Sequence, residues 1–283
     1  LIEMNGKIIA NKYVLIEELN RGSFSSIFYG VNKINNKEVA IKFEFNPTFS
    51  TIKHEVSILK YLINNKIKNI PHVYWFGPFD EKLCLIMTKY DCSLSEYINN
   101  KNISLSKIKS IIIQLTQLIK NIHDAFLVHR DIKPQNIMIH KGELCLIDFA
   151  FSVFYIDENK KHIIDNKDQD SMVGSPRFMS YFIYEGYKSF RRDDLISMAY
   201  ICLLLFCKEL PWDNLPYENS QQLSIYNTRN QTAKNLKSLE NIKRYCSNKN
   251  VELQHLFNYL YNLSYFDDPN YLFIIDVIKN YDD

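Results

Sequence analysis

Glycine and proline are scarce, with 7 and 8 copies in 283 residues, and tryptophan occurs only twice. That scarcity excludes collagen-like and proline- or glycine-rich low-complexity chains, and no internal repeat or low-complexity tail is present. The longest apolar run, MAYICLLLFC at 198–207, is too short to span a bilayer and reads as a buried helix. The six cysteines (Cys84, Cys92, Cys145, Cys202, Cys207 and Cys246) form no CxxC pair and no disulfide framework. All but Cys92 and Cys246 lie in apolar runs, so they read as reduced core thiols of an intracellular protein, cytoplasmic or nuclear. A charge imbalance is also missing: 34 Lys and Arg face 32 Asp and Glu, a net charge of +2. No overall field argues for nucleic acid or membrane as partner, and no secretory leader is read.

What is present is an ordinary globular composition, 46% hydrophobic and 23% charged, of a length that suits one large domain or two lobes sharing a core. Asn, Ile, Lys and Tyr are abundant, a bias of AT-rich genomes such as those of some large viruses and protists. The start at Leu1 rather than Met reads as an excised or processed chain. Residues 12–46 alternate like strands in KYVLIEEL, SSIFYGVNK and KEVAIKFEF, with a turn-like NKINNK between the last two. Ile52, Val56, Leu59 and Leu62 then fall at helical spacing over 50–62. HVYWFGPF and KLCLIMTKY form a second strand pair around Asp80 and Glu81. From Leu105 to Ala125 an apolar stripe of Ile108, Ile111, Ile112, Leu115, Leu118, Ile119 and Ile122 predicts a long helix capped by Ser104. After Asp194 the pattern is mostly helical. The expected architecture is α+β: a small β-rich lobe over about 1–88, a joining passage at 88–91, and a larger α-rich lobe over 92–283.

Three charged phrases stand out in order. VAIK at 39–42 supplies Lys42 on a strand, and Glu55 on the next helix could pair with it, although a plain surface Lys–Glu pair is the default reading. HRDIKPQN at 129–136 places Asp131, Lys133 and Asn136 on a loop after the long helix. LCLIDFAFS at 144–152 delivers Asp148 from a short strand pair, IMIH and LCLI, turned through Lys141, Gly142 and Glu143. Phosphoryl transfer asks for these parts: a cation and backbone amides for phosphates, hard oxygens for a metal, and a carboxylate for the attacking hydroxyl. HRDxKPxN followed twelve residues later by a strand-borne DF is a specific combination.

On these phrases nearly the whole chain resembles a eukaryotic-type protein kinase. IPHVYWFGPF at 70–79, GSPRFMSYFIYEG at 174–186, FRRDDL at 190–195 and LPW at 210–212 resemble the casein kinase 1 family with its vaccinia-related branch. The resemblance implies the bilobal kinase fold, ATP and Mg2+ as cofactors, and protein substrates, acidic or already phosphorylated, handled by a monomer. By position it implies Lys42 on the α- and β-phosphates with Glu55 as partner, Asp131 as acceptor of the substrate proton, and Lys133 at the γ-phosphate. Asn136 and Asp148 would hold the metal, Met87 would be the gatekeeper, and Thr88, Lys89 and Tyr90 would face adenine. Gly22, Ser23, Ile27 and Ala40 complete the implied nucleotide contacts, while His129 and Asp194 would brace the catalytic loop. Lysine at 133 is the serine/threonine pattern.

Two departures bear on activity. The phosphate loop should read GxGxxGxV, but NRGSFSSI at 20–27 keeps only Gly22, with Asn20 and Ser25 at the outer positions. That predicts weaker or stiffer nucleotide binding. Ala150 stands where DFG has glycine, a change of about 1–2 kcal/mol if the backbone there is left-handed and of little consequence otherwise. Arg177, Lys188, Arg191 and Arg192 form a basic cluster that could bind acidic substrate or pair internally with Asp193, Asp194 or Glu185. DENKKHIIDNKDQD at 157–170 reads as a solvated stretch of activation segment, and nothing in the sequence assigns a regulatory role to Ser171 or Ser175. An active kinase is the leading reading. A pseudokinase scaffold binding protein partners is the alternative, and a small-molecule phosphotransferase is disfavoured by Lys133 and by the long region from SPRFMS to FRRDDL.

Overall fold

A computed structural model of the chain describes residues 5–22, 25–45, 50–100, 102–163, 172–215, 223–247 and 251–281. Ser23, Ser171 and residues 164–170 lie outside the described residues. The first elements in chain order are β1 (Ile8–Ile9), β2 (Tyr13–Arg21), β3 (Ser25–Asn32), β4 (Lys37–Glu44), α1 (Thr51–Asn64), β5 (Val73–Phe79) and β6 (Lys82–Thr88). There follow β7 (Cys92–Ser93), α2 (Leu94–Asn100), α3 (Leu105–Asp124), β8 (Leu127–Val128), β9 (Ile137–His140), β10 (Glu143–Leu146) and β11 (Val153–Phe154). The remainder is helical: α4 (Tyr181–Tyr184), α5 (Arg191–Cys207), α6 (Leu223–Leu236), α7 (Leu239–Ser247), α8 (Val251–Tyr261) and α9 (Tyr271–Lys279). Contacts divide the chain into two compact units, 1–92 with 138–150, and 93–137 with 151–283. LCLIDF, which a division of the sequence at 88–91 leaves in the second lobe, therefore clusters with the first.

The first unit is built on period-two patterning. In β3 alternate residues Ser26, Phe28, Gly30 and Asn32 are buried, and the strand pairs antiparallel with β2 and β4 in a six-stranded sheet of order β1-β2-β3-β4-β6-β5. Gly30 is required by close packing, because a Cβ there would meet the Val14 carbonyl at 2.7 Å and the Ile41 side chain at 2.5 Å. One face holds Tyr13, Leu15, Phe28, Ile41 and Phe43, and Phe28 meets Phe43 edge-on at 5.6 Å. The turn between β5 and β6 uses Asp80 and Glu81 with φ of 47° and 60°, the geometry of a tight hairpin. Ser50 caps α1 by accepting from the Lys53 amide, and Ile52, Val56, Leu59 and Leu62 are buried as their spacing predicts.

The second unit is organised by α3 and α5. Ser104 caps α3, and its whole apolar stripe is buried. MAYICLLLFC lies within α5, which is buried on all sides from Arg191 to Leu205, accounting for the absence of an amphipathic pattern there. All six cysteines are free thiols, and Cys246, outside any apolar run, is also buried. No helix among the described residues is long and apolar enough to cross a membrane.

Candidate active site

In the first unit the end of β4 is joined to the start of α1 through two acids. Glu44 closes β4 and accepts hydrogen bonds from the Thr51 amide and hydroxyl at 2.6 and 2.9 Å, placing a carboxylate at the positive end of α1. One turn further on, Glu55 Oε2 accepts from Lys42 Nζ at 2.7 Å, and Lys42 also reaches Asp148 Oδ1 at 2.9 Å. The side chains of Lys42 and Glu55 are only 7% and 0% exposed, so the surface-pair reading is excluded. The other Glu55 oxygen accepts from the Phe149 amide at 3.3 Å, which ties Phe149 to α1. Burial opposes a charge on Lys42, but the carboxylates of Glu55 and Asp148 outweigh it and hold the ammonium above its ordinary range. Asp148 is 30% exposed and left-handed, with φ of 64°. Phe149 is fully buried.

Three of the implied nucleotide contacts in this unit, Ile27, Ala40 and Met87, share one apolar cluster. Ala40 and Met87 are paired across β4 and β6 and share a cluster with Ile27, Val73 and Leu85. Thr88 donates its amide to the His72 carbonyl and accepts from the His72 amide, while Lys89 pairs with Glu38. Tyr90 is buried and packs edge-on against His140 at 5.7 Å. Gly22 donates its amide to the Ser25 carbonyl at 2.9 Å. Neither Asn20, Gly22 nor Ser25 takes a positive φ.

In the second unit the loop after β8 hangs from one buried acid. The Asp194 carboxylate accepts from the His129 and Arg130 amides at 2.7 and 2.9 Å and from His123 Nε2 at 3.1 Å. Burial works against a charge on Asp194, but the hydrogen bonds from His123 and the loop amide outweigh it and hold the carboxyl below its usual range. A neutral His123 with its proton on Nε2 fits every contact, since Nδ1 then accepts from the Tyr271 hydroxyl at 2.7 Å. His129 Nδ1 in turn accepts from the Asp131 amide at 3.3 Å.

Asp131 is 5% exposed and fully engaged. One oxygen accepts from Lys133 Nζ at 2.6 Å and Asn136 Nδ2 at 2.9 Å; the other accepts from the Ser175 amide at 2.9 Å and its hydroxyl at 2.8 Å. Lys133 also donates to the Ser175 hydroxyl at 2.8 Å. Gly174 makes this possible, with φ of 112° and a position where a Cβ would lie 2.6 Å from the Arg130 carbonyl. The Asn136 amide nitrogen is occupied by Asp131, which leaves its carbonyl oxygen as the atom to offer a cation. No cluster of three or more His, Cys, Asp or Glu is present among the described residues. The Asn136 carbonyl oxygen in this unit, and the part-exposed Asp148 carboxylate in the other, are each the kind of hard oxygen donor that a small divalent ion takes alongside phosphates and water.

Lys42, Glu55 and Asp148 are thus brought together in one unit, and Asp131, Lys133 and Asn136 in the other. Ser175, Glu44 and His123 are functional neighbours that sequence reasoning did not assign. Ser175 and His123 find their partners far along the chain, and nothing in the local pattern marks Glu44 as the acceptor for the start of α1. The basic cluster is engaged internally: Arg191 pairs with Asp268, Arg192 donates to the Leu263 carbonyl at 3.1 Å and covers the Phe182 ring, and Arg177 forms a two-pronged pair with Asp213. His162, in the stretch expected to be solvated, is half-buried and stacks on Tyr155 at 5.4 Å.

Residues 13–265 match the family described as protein kinase domain. The chain is also similar to Casein kinase I homolog 2 of Schizosaccharomyces pombe, 26% identical over 282 residues that cover 96% of this chain and 63% of that protein. It therefore spans a little under two thirds of that relative's length.

Proposed function

This chain belongs to the protein kinase domain family, and from that premise we propose that it transfers the γ-phosphoryl group of ATP to serine or threonine hydroxyls of proteins. Its β-rich N-terminal and helical C-terminal parts are those of the bilobal kinase fold, whose members use ATP and a divalent metal. The observation that carries the reading is the Ser175 hydroxyl, which donates to Asp131 while accepting from Lys133. A substrate hydroxyl needs the same two partners: a carboxylate to take its proton and a cation beside the oxygen that becomes phosphorylated. Lys42, kept charged and aimed by Glu55, suits the α- and β-phosphates. Ile27, Ala40 and Met87 offer an apolar surface to adenine next to Thr88 and Tyr90. Mg2+ on Asp148 and Asn136 would neutralise phosphate charge.

Acidic or phosphorylated protein substrates belong to the same proposal. Arg191 and Arg192 are buried, so the cation this proposal offers to such a substrate is Lys208, which lines a cavity of about 190 Å³ with Ser95, Asn99, Pro134 and the Asp213-paired Arg177. The decisive experiment is transfer of labelled γ-phosphate from ATP to casein, beside Asp131→Asn. We expect turnover to fall by roughly 10²–10⁴ with the fold intact; unchanged transfer would sink the assignment. The scaffold reading has one observation in its favour, the Gly22 amide already closed on Ser25 rather than open to phosphate. It predicts no thermal shift with ATP and Mg2+, and no transfer.

A further inference from the structure

Lys237 follows α6 and is completely buried, yet none of the ion pairs among the described residues involves it. Its ammonium donates to two backbone carbonyls, Pro176 and Met179, each at 2.7 Å. Three aromatic rings surround the same nitrogen: Trp212 at 4.9 Å, Tyr184 at 5.0 Å and Tyr200 at 5.1 Å. A buried ammonium is tolerated only where donors are matched and ring faces replace water, and both conditions hold. Burial also pushes Lys237 well below its ordinary range, but a neutral amine keeps two N–H donors, enough for both carbonyls.

The two carbonyls bracket a turn. The Phe178 and Met179 amides both donate to the Ser175 carbonyl, at 2.9 and 2.8 Å, so residues 175–179 close on themselves. Ser175, the first residue of that turn, is bonded to Asp131 and Lys133. The intervening Arg177 carbonyl accepts from Trp212 Nε1 at 2.8 Å, and the Pro176 carbonyl accepts a second bond from the Tyr184 hydroxyl at 2.9 Å. Three of the turn's carbonyls, those of Pro176, Arg177 and Met179, are thus satisfied by side-chain donors from outside it.

We propose that Lys237 is a positioning residue for phosphoryl transfer: by holding the Pro176 and Met179 carbonyls it fixes the turn that presents Ser175 to Asp131 and shapes the segment a protein substrate meets. This rests on the kinase reading above for its catalytic consequence but not for its structural one. Lys237→Met keeps the apolar stem and removes both donors. In hydrogen exchange we expect the Ser175, Phe178 and Met179 amides to open about tenfold faster or more, while α5 amides between Leu195 and Leu205 stay unchanged. In transfer assays KM for a protein substrate should rise about tenfold with KM for ATP unaltered. Tyr184→Phe, which removes one hydroxyl from the same carbonyl, should move both readouts the same way by a few-fold, and it decides the matter if Lys237→Met does not fold. Uniformly faster exchange with unchanged KM values would show a merely structural lysine and overturn the proposal, as would no change in either variant. A wild-type protein that transfers no phosphate would defeat the kinase reading, while the exchange measurement would still decide the turn.

Discussion

Ala150 occupies a short 3-10 turn, Phe149–Phe151, and is not among the residues with positive φ. The left-handed residue of LIDFA is Asp148, and aspartate tolerates that geometry better than most side chains. Alanine at 150 therefore removes no ligand and adds no strain. Restoring glycine by Ala150→Gly should lower stability by about 0.5–1 kcal/mol, through greater freedom of the unfolded chain, and leave turnover unchanged. A denaturation midpoint that rises, or turnover that climbs tenfold, would show that the alanine restrains the site. At this scale the sequence was informative about identity and silent about burial. Lys42 and Glu55 were legible from their positions, but the pair's near-zero exposure, which makes it a fixed device, was not.

Between elements, legibility followed sequence distance. The α3 stripe and its Ser104 cap were readable because an apolar periodicity and a local cap lie within a few residues of each other. His123 at the end of that helix was not, since its partner Tyr271 lies 148 residues away on α9 and Asp194 lies 71 away on α5. The same holds for Lys237, whose partners Pro176 and Met179 lie 61 and 58 residues away. The His123 link also carries a pH signature. Burial pushes its imidazole below the ordinary value of about 6.5, although Asp194 pulls the other way. As pH falls, the unfolded chain takes up this proton before the folded chain does. The stability owed to His123 is thus complete above about pH 6.5 and declines as pH drops through that value towards the lower folded one. His123→Gln should flatten the unfolding free energy below about pH 6.5, and lower it at pH 7 by about 1–3 kcal/mol through weaker buried hydrogen bonds. An unaltered acid limb in chemical denaturation at several pH values would contradict this assignment.

Across the whole molecule, the machinery is divided between two units, each with its own internal logic. One holds a cation charged by two carboxylates; the other holds a carboxylate saturated by a lysine, an asparagine and a serine. The phrases that supply these residues were legible because each is contiguous. The grouping of 138–150 with the N-terminal sheet was not, because it arises from pairing such as Leu146 with Asn69 rather than from chain order. The division makes the two functions separable. Asp131→Asn alters only the second unit, so an ATP–Mg2+ thermal shift should survive while transfer is lost. Removing Lys42 alone would strand a buried glutamate at a cost of about 3–5 kcal/mol, which confounds binding with unfolding. Replacing both partners, Lys42→Met with Glu55→Leu, substitutes apolar volume for the pair and should cost less, about 1–3 kcal/mol for the Phe149 amide that loses Glu55. Asp148 is exposed enough to be solvated without its lysine. That double variant is expected to lose the thermal shift and transfer together. If it kept a full shift, phosphate binding would not depend on Lys42, and the role given to the first unit would have to be abandoned.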